Sequence, residues 1–550
     1  MTTKRYNYIK ITALLLISAL TLTSMLAGCS RSRIPVETPE PTITGNTNLG
    51  APREDSYAAD DVFSLNFNRS AGFNPITTTS GHNILITTLM YEPLFEVDEN
   101  MTAQPVLCKS WYSTEMNGVS VWFFTVDTER KMHDGSNFNA YDANYSIRRA
   151  QQNSKYRDRL SIIIGISALS ETDLAITLAY ENTQFPNLLN IPIMKDGTGD
   201  QFAPPGTGPY MMAETEDKLV HFADYPSQYN VPIDVIHLLE YERAEDLILA
   251  YEDAEIDLVT NDPTGMSNLG YGSANEIRDF PTTNMHYLGF NMEKATGYRT
   301  AFSHIINRSY ITSDLMGGRG VPVTLPILPT SPYYNAAYAR LFDFSLEKFE
   351  EALAVAGIAD HDDDGMMEYM ITGIPVEMNI NFIVNNESAV KVAAARDIAY
   401  RLRSVGITVT LRELPFSEYM QALKDKDFDM FYAEVKLPAD FNLLPLLSAG
   451  GSLNYGKAND SSYENHIREY LAAAEDGRKL SADLMLRYVT STAPIIPIAF
   501  EKREVLTHSN VVTGIRPTQY NVFHHLTDWN INLASNPYYQ SQAKSEENGE

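Results

Sequence analysis

An apolar segment lies close to the start of the chain, and regular alternation of apolar and polar residues starts only after a long polar stretch. Residues 11–27 are apolar or small and follow a basic segment. A short apolar run with a basic start is typical of an export signal, which we predict over 1–28, rather than a spanning helix. Residues 29–57 are rich in proline, threonine and serine, which predicts a disordered tether, and 536–550 are predicted to be a tail.

Between the tether and the tail, strand and helix patterns alternate. Residues 61–67 and 119–128 show the alternating or β-branched composition of strands. Apolar positions three and four apart predict helices over 344–356 and 390–405, and a strand over 407–411 follows the second helix. A chain of 550 residues is too long for one core, so the pattern predicts a mixed α/β protein of several domains.

Cys29 closes the apolar segment in the sequence Leu26-Ala27-Gly28-Cys29. This pattern resembles a bacterial lipobox, which implies that Cys29 becomes a lipid-bearing amino terminus. Acyl chains of the palmitate type hold such a protein on a membrane, because each buried methylene contributes about 0.8 kcal/mol. The alternative is an uncleaved anchor helix. Both interpretations place the folded chain outside the cytoplasm, at the cell membrane.

Charge and cysteine content narrow the function classes. The net charge of −28 disfavours binding to nucleic acid and to anionic lipid headgroups. Cys108 is the only other cysteine, so no disulfide framework is expected. Its apolar flanks predict a buried, unreactive thiol.

Motifs of hydrolases and metalloenzymes are absent from the sequence. There is no His-Glu-x-x-His, Cys-x-x-Cys, Gly-x-Ser-x-Gly or phosphate loop. Ser345 and Lys348 match Ser-x-x-Lys, but Ser345 precedes a predicted helix and is better interpreted as its N-cap. We therefore predict no catalytic residue and no cofactor. A membrane-anchored hydrolase of peptide or cell wall is the competing function class.

One acidic loop is a candidate calcium site. Asp360, Asp362 and Asp364 occupy positions 1, 3 and 5 of a calcium loop, and Glu368 occupies position 9. The glutamate expected at position 12 is replaced by Ile371. Two interpretations stay open, a weak calcium site and an acidic turn between a helix and a strand, and no other metal site is predicted.

Seven short motifs occur in a characteristic order between residues 73 and 308, and the similarity that they mark runs over residues 60–520. They are FNP (73–75), YEPLF (91–95), KMHDG (131–135), NAYD (139–142), GTGPY (206–210), LGFN (288–291) and IINR (305–308). In this order and spacing, the chain resembles the solute-binding proteins of peptide-type ABC importers, the oligopeptide- and dipeptide-binding family 5. The lipobox is an independent feature that agrees with this resemblance.

The resemblance implies a periplasmic-binding-protein-like α/β fold of type II, cluster C, with two lobes, a hinge and an extra inserted domain. Carried onto this chain, lobe I spans 58–85, 205–290 and 505–535. The inserted domain spans 86–204, and lobe II spans 291–504. The lobes of such proteins close on a small ligand, which is handed to the permease subunits.

The resemblance also implies candidate ligand contacts. In dipeptide-binding relatives, a turn that matches Thr79, Ser80, Gly81 and His82 touches the ligand; the alternative is an ordinary loop. Peptide-binding relatives hold the ligand's free amine with an aspartate, and our alignment, anchored on Pro438, Asn442 and Leu444, places Lys436 there. Asp440 lies four residues on, and Asn454 is a further candidate contact.

Three interpretations of this anchor stay open. Lys436 binds an anionic group of the ligand, or it points to solvent, or Asp440 takes the anchor role through a shifted loop. The predicted protein is a monomeric receptor for a peptide or peptide-like molecule. A receptor of the same fold for a non-peptide anion, a nickel complex or a signalling peptide is the alternative within this class.

Overall fold

The computed structural model describes residues 61–226, 229–263, 270–271, 275–294 and 297–533. The predicted signal (1–28), tether (29–57) and tail (536–550), and with them Cys29, lie outside the described residues. None of the helices in the described ranges combines the length and apolar character needed to cross a bilayer.

Most strands are short, and two are long. In chain order the strands are β1 Ser64–Asn66, β2 Phe95–Val97, β3 Ala103–Pro105, β4 Cys108–Met116, β5 Val119–Val126, β6 Ile163–Ala168, β7 Asp173–Leu178, β8 Tyr210–Met212, β9 Lys218–His221, β10 Val235–Leu239, β11 Leu258–Asn261, β12 Asn275–Phe290, β13 Gly320–Pro322, β14 Ile358–Ala359, β15 Glu368–Ile371, β16 Ile374–Glu377, β17 Asn379–Asn385, β18 Thr408–Leu414, β19 Met430–Lys436, β20 Ile495–His508, β21 Val512–Thr513 and β22 Asn530–Ile531.

The helices lie between these strands and cover their faces. In chain order they are α1 Gly81–Met90, α2 Ala140–Gln152, α3 Ser154–Arg157, α4 Ala244–Glu252, α5 Arg299–Ile305, α6 Arg308–Tyr310, α7 Ala336–Ala339, α8 Leu346–Val355, α9 Ala389–Ser404, α10 Phe416–Asp425, α11 Leu444–Leu447, α12 Ser461–Ala472 and α13 Glu475–Thr492. A π-helix at Ile311–Leu315 continues α6.

The largest sheet has eleven strands and consists of two halves joined by β12 and β20. Its order is β18-β17-β19-β12-β20-β11-β1-β10-β9-β8, with β13 on β20. The carboxyl-terminal half of β12 pairs with β19, whereas the carboxyl-terminal half of β20 pairs with β11. Each long strand therefore belongs to both halves, and β1 and β17 lie parallel to their neighbours within their own halves.

A bulge interrupts the β12–β20 ladder where the two halves meet. The register shifts between Pro281 and Met285, opposite residues 500–502 of β20. Bulges bend a strand and leave residues outside the ladder. Thr282 Oγ1 donates to the Glu501 carbonyl at 3.0 Å and so holds the bulged segment against β20. The two halves are thus linked by an irregular stretch of paired strands.

A separate four-stranded antiparallel sheet lies within residues 108–178. Its order is β4-β5-β7-β6. Its apolar face packs into the same hydrophobic core as the half that contains β1 and β10. The other half of the large sheet has cores of its own, built around Phe382 on one face and Phe431 on the other.

The GTGPY motif allows helix α1 to lie against the strand β8 region. A Cβ on Gly206 would lie 2.2 Å from the Met90 carbonyl oxygen, and one on Gly208 would lie 2.4 Å from that of Leu89. Any side chain at these positions would clash with the end of α1. Gly208 N–H donates to the Met90 carbonyl at 2.9 Å, which fixes this contact.

Several local predictions are confirmed. The strand predicted over 119–128 is β5, and the helices predicted over 344–356 and 390–405 are α8 and α9. Ser345 caps α8 by accepting from Lys348 N–H at 3.2 Å, which supports the N-cap interpretation. Cys108 is buried, and burial raises the pKa of its thiol to about 12. The strand predicted over 61–67 is shorter than expected, because only β1 is paired.

Candidate functional site

A large cavity is surrounded by residues from both halves of the eleven-stranded sheet and from the region of the four-stranded sheet. Its volume is about 1220 Å³. Its wall is formed by residues within 75–106, 154–162, 180–192, 225–231, 436–453 and 519–527, together with Arg130, Pro209, Arg468 and Arg503. These segments are distant in sequence, so the cavity exists only when the parts of the chain are brought together.

Lys436 lies in the cavity wall at the end of β19. Pairing with Asn284 of β12 fixes its backbone. Among the described residues, no hydrogen bond or ion pair is made by its ammonium group, which is exposed to the cavity. Burial by the surrounding protein, together with the smaller effect of the charges of Arg503, Arg159 and Lys155, lowers the pKa of Lys436 to about 8.

Asp440 also borders the cavity, but its carboxylate is fully buried. Its Oδ2 accepts from Asn182 Nδ2 at 2.8 Å, and its Oδ1 accepts from Asn442 N–H at 3.1 Å. Burial raises the pKa of Asp440 to about 6, against the opposing effect of these hydrogen bonds. Both carboxylate oxygens are therefore engaged by the protein, and Asp440 links the 436–453 segment to residue 182.

Two cationic side chains that the sequence analysis did not single out lie in the same wall. Lys155 belongs to α3, and Arg159 follows it four residues later. Arg159 donates from Nη2 to the Asn190 carbonyl at 3.0 Å, while its Nε is shielded from water and has no partner among the described residues. The i, i+4 spacing of these two cations was the only signal in the sequence.

Aromatic side chains cover much of the remaining wall. They are Tyr91, Tyr156, Tyr180, Tyr225, Tyr229, Tyr520 and Phe523. The Tyr156 ring contacts two cations, with its centroid 5.0 Å from Lys155 Nζ and 5.3 Å from the Arg159 guanidinium carbon. Aromatic walls with a few polar groups are typical of sites for small ligands.

A buried ion pair, in contrast, closes one side of the cavity. Arg130 bonds to Glu92, and Tyr225 OH donates to the other Glu92 oxygen at 3.0 Å. Burial raises the pKa of Glu92, although the Arg130 charge opposes this effect. These three groups satisfy one another and so form part of the scaffold.

The predicted turn at 79–82 lies beside the cavity rather than in its wall. Ser80 caps α1 by accepting from Asn83 N–H at 3.4 Å, and burial lowers the pKa of His82. The next turns of α1 do reach the cavity, through Ile84, Thr87 and Thr88. Ligand contact by Thr79, Ser80, Gly81 and His82 stays a prediction.

Asn454 has a local structural role. Its Nδ2 donates to the carbonyls of Ser448 and Ala458 at 2.8 and 2.7 Å, and its Oδ1 accepts from Ala458 N–H at 2.9 Å. These bonds hold the loop whose residues 448 and 450–453 line the cavity. Asn454 itself is not in the cavity wall, so its predicted contact with ligand would have to be indirect.

Two groups of metal-ligating residue types occur elsewhere among the described residues. The potential ligand atoms of Asp360, Asp362, Asp364 and Glu368 lie within 4.8 Å of one another, and the calcium site stays a prediction. The other group is His286, Glu434 and Glu501. His286 bonds to Glu501 at 2.8 Å and to Tyr432 OH at 2.9 Å, and Lys391 pairs with Glu434 at 2.6 Å.

A cavity that is enclosed by two halves of one bridged sheet defines a ligand-binding protein of the periplasmic-binding type. A family model for bacterial extracellular solute-binding proteins, family 5, matches residues 102–445, which is more than half of the chain. The chain therefore belongs to this family, and the resemblance inferred from its motifs is confirmed. Proteins of this family bind peptides or other small ligands outside the cytoplasm and work with ABC permeases.

Solved structures share the fold at low sequence identity. A nickel ABC transporter protein from Bacillus halodurans is 21% identical, with a TM-score of 0.68 over 84% of this chain and 98% of that one. NikA from Brucella suis, in complex with Fe(III)-EDTA, is 17% identical, with a TM-score of 0.65 over 85% and 99%. The oligopeptide-binding protein AppA from Bacillus subtilis, in complex with a nonapeptide, is 17% identical, with a TM-score of 0.57 over 86% and 99%. No curated protein matches the sequence.

Proposed function

We propose that this protein is a monomeric, lipid-anchored receptor of an ABC importer. It binds a peptide or peptide-like small molecule in the cavity and delivers it unaltered to the permease subunits. The observation that carries this proposal is the cavity of about 1220 Å³ whose wall draws on both halves of the large sheet. Ligand that contacts both halves stabilises them in a closed arrangement, which is how a binding event is signalled to a partner.

The cavity size favours a ligand larger than a single amino acid. Typical small-molecule sites measure roughly 300–1,000 Å³, and this cavity exceeds that range. Two neighbours of the same fold hold very different ligands, a nonapeptide in one and Fe(III)-EDTA in the other. The fold therefore leaves the ligand undetermined, and the side chains of the wall select it.

The anchor position favours an anionic group over a free amine. Lys436 is exposed to the cavity, whereas both Asp440 oxygens accept hydrogen bonds from the protein. An ammonium at this position attracts carboxylate or phosphate and repels a ligand amine. Calorimetric titration with peptides whose amino terminus is free or acetylated tests this assignment. We expect acetylation to leave affinity unchanged or to raise it, and strict dependence on the free amine would contradict it.

The bulge in the β12–β20 ladder is the proposed hinge between lobe I (58–85, 205–290, 505–535) and lobe II (291–504), with 86–204 inserted in lobe I. The register shift between Pro281 and Met285 provides the irregular backbone that can bend. Small-angle scattering with and without ligand measures the change in radius of gyration. A radius that stays constant when ligand binds would contradict closure.

Mass spectrometry of small molecules that co-purify from the native host identifies the ligand most directly. We expect a compound that is recovered with its mass unchanged after incubation, and a product of altered mass would instead support the hydrolase alternative.

Membrane fractionation tests the anchor. Cys29→Ser is expected to release the protein from the membrane fraction, because sulfur is the lipid acceptor. Retention of this variant at the membrane would favour the uncleaved helix.

A further inference from the structure

Six lysine and arginine side chains line the cavity. Arg130 pairs with Glu92 and Arg468 pairs with Glu464, and the other four come from three separate chain segments. Lys155 and Arg159 come from the region of α3, Lys436 from the end of β19, and Arg503 from β20. The first pair belongs to the predicted inserted domain, and the other two belong to the second half of the large sheet and to the strand that joins the halves. Their convergence is a property of the folded chain.

Two of these four cations, Lys155 and Lys436, have no anionic partner in the described part of the protein. Within the described ranges, the ammonium groups of Lys155 and Lys436 form no ion pair and no hydrogen bond. Arg159 uses one nitrogen on a backbone carbonyl and leaves its shielded Nε without an acceptor. Arg503 alone has a carboxylate partner, Asp262, at 3.1 Å.

Among the described residues, no carboxylate of the cavity wall forms an ion pair with these four cations, and only Asp440 acts on one of them, Arg159, through its charge. Glu92 is paired with Arg130, and Glu96 accepts from Asn521 Nδ2 at 2.7 Å and lies 3.1 Å from His524 Nδ1. Asp158 lies beside Arg157, at 3.6 Å. Asp440 is the carboxylate that acts on Arg159, and its oxygens are held by Asn182 and by the backbone of residue 442.

Repulsion from neighbouring cations acts on both lysines of the group. Arg503, Arg159 and Lys155 each lower the pKa of Lys436, and Arg159 lowers that of Lys155, in addition to the larger effect of burial. Both lysines have a pKa of about 8 and therefore remain mostly charged at neutral pH. A protein gains no stability from such a cluster, so the counter-charge is expected from outside the chain.

We propose that Lys155, Arg159, Lys436 and Arg503 form one anion-binding subsite, and that the ligand of this receptor carries at least two oxyanion groups. This inference rests on the proposed receptor function and specifies its ligand class. One carboxylate, such as the carboxyl terminus of a neutral peptide, would match only one of the two unpaired ammonium groups of Lys155 and Lys436. Two or more carboxylates or phosphates, on an acidic peptide or on a non-peptide polyanion, match the cluster.

Titration calorimetry with charge-matched probes tests the subsite. The full-length protein is purified in detergent and freed of bound small molecules before titration. The probes are acetyl-triglutamate amide and acetyl-triglutamine amide, which have nearly the same size and no free amine. Propane-1,2,3-tricarboxylate and inorganic pyrophosphate are the non-peptide arms. We expect at least one of the three polyanions to bind ten times or more tightly than triglutamine. The polyanion that binds most tightly shows whether the natural ligand is an acidic peptide or a non-peptide polyanion.

Variants of the cluster distinguish this subsite from general attraction of anions. Lys155→Gln, Arg159→Gln and Lys436→Gln are each expected to weaken the best polyanion about tenfold or more. Lys424→Gln removes the same charge from an exposed position on α10, outside the cavity wall, and is expected to leave the affinity unchanged. Thermal unfolding of each variant without ligand shows whether the fold is retained.

Three results would overturn the subsite. They are affinities for all three polyanions that are no higher than that for triglutamine, absence of binding by all three polyanions, and an effect of Lys424→Gln as large as that of Lys436→Gln. Failure of the subsite is distinguishable from failure of the receptor function. A neutral molecule that co-purifies from the native host and closes the lobes in scattering would refute the subsite and leave the receptor function standing.

Discussion

Charged groups are paired within the fold at the bulge of β12, whereas some charged groups in the neighbouring cavity wall are unpaired within the described part of the chain. At the bulge of β12, Glu501 bonds to His286 at 2.8 Å and to Asn284 Nδ2 at 3.0 Å, so its carboxylate is satisfied within the fold. In the cavity wall, Lys155 and Lys436 have no such partners among the described residues. The first region uses charge to hold strands together. The second leaves charge unpaired, at a cost in stability that the proposed anionic ligand would offset.

The pKa shifts in the two regions follow this difference. Burial alone would raise the pKa of Glu501, but hydrogen bonding and charge from His286 outweigh it and bring the pKa below its usual range. No such compensation acts on Lys436, whose pKa is lowered by burial and by its cationic neighbours. A paired group is stabilised in its charged form by the fold, whereas an unpaired one requires an external partner.

Removal of Glu501 is expected to have the largest effect on stability. Glu501→Ala leaves buried His286 and Asn284 without their acceptor, which costs about 3 kcal/mol in free energy of unfolding. Urea unfolding followed by circular dichroism measures this loss. Glu350→Ala, at an exposed position of α8, is the matched control and is expected to change stability little. Equal effects of the two substitutions would refute the structural role of the Glu501 pairing.

Asp440 is expected to contribute less than Glu501, because its own burial is unfavourable. Asp440→Ala removes the acceptor of Asn182 Nδ2 and of Asn442 N–H, which costs about 2 kcal/mol. Thermal unfolding measures this cost. If Asp440 instead anchors a ligand amine, the substitution would abolish binding of free-amine peptides and leave acetylated peptides unaffected.

Binding of an anion is expected to weaken as pH rises through about 8. Lys155 and Lys436 lose their charge near this pH, so affinity for acetyl-triglutamate amide falls about tenfold, or ~1.4 kcal/mol, between pH 7 and pH 9. The stability of the ligand-free protein is expected to change with pH in the opposite direction to the affinity. Because the folded pKa of each lysine is depressed, the unfolded chain binds more protons above pH 8, and the contribution of these lysines to stability rises from there towards pH 10.5.

A flat affinity profile between pH 7 and pH 9 would contradict the assignment of these two lysines. The double variant Lys155→Gln/Lys436→Gln is the control for this measurement. Its residual affinity for the same probe is expected to stay constant over this pH range, since neither glutamine titrates.

The smallest expected effect is on the stability of this double variant without ligand. Removing two mutually repelling charges that face a water-accessible cavity is expected to raise the free energy of unfolding by about 0.5 kcal/mol at pH 7, after allowance for solvent screening. Urea unfolding in parallel with the natural protein measures the difference. A loss of 2 kcal/mol or more, similar to the loss expected for Glu501→Ala, would show that these lysines are structural. The contrast between the cavity wall and the bulge would then disappear.

The sequence by itself determined features that depend on near neighbours in the chain. The apolar repeat and cap of α8, the strand β5 and the two glycines that allow α1 to approach β8 are encoded by residue types at short spacing. The ordered motifs likewise identified the family, because they occur within short segments whose local geometry the family shares.

Only the tertiary structure decided which charges meet in the cavity. The sequence singled out Lys436 because it aligns with the aspartate that binds the ligand amine in related proteins. Its proximity to Lys155, Arg159 and Arg503, however, depends on loops and strands far apart in sequence. The tertiary structure also showed that Asp440 is buried and held by Asn182, which lies 258 residues earlier in the chain. Local pattern specifies secondary structure, whereas burial and pairing of charge are set by long-range packing, and the proposed ligand preference depends on that packing.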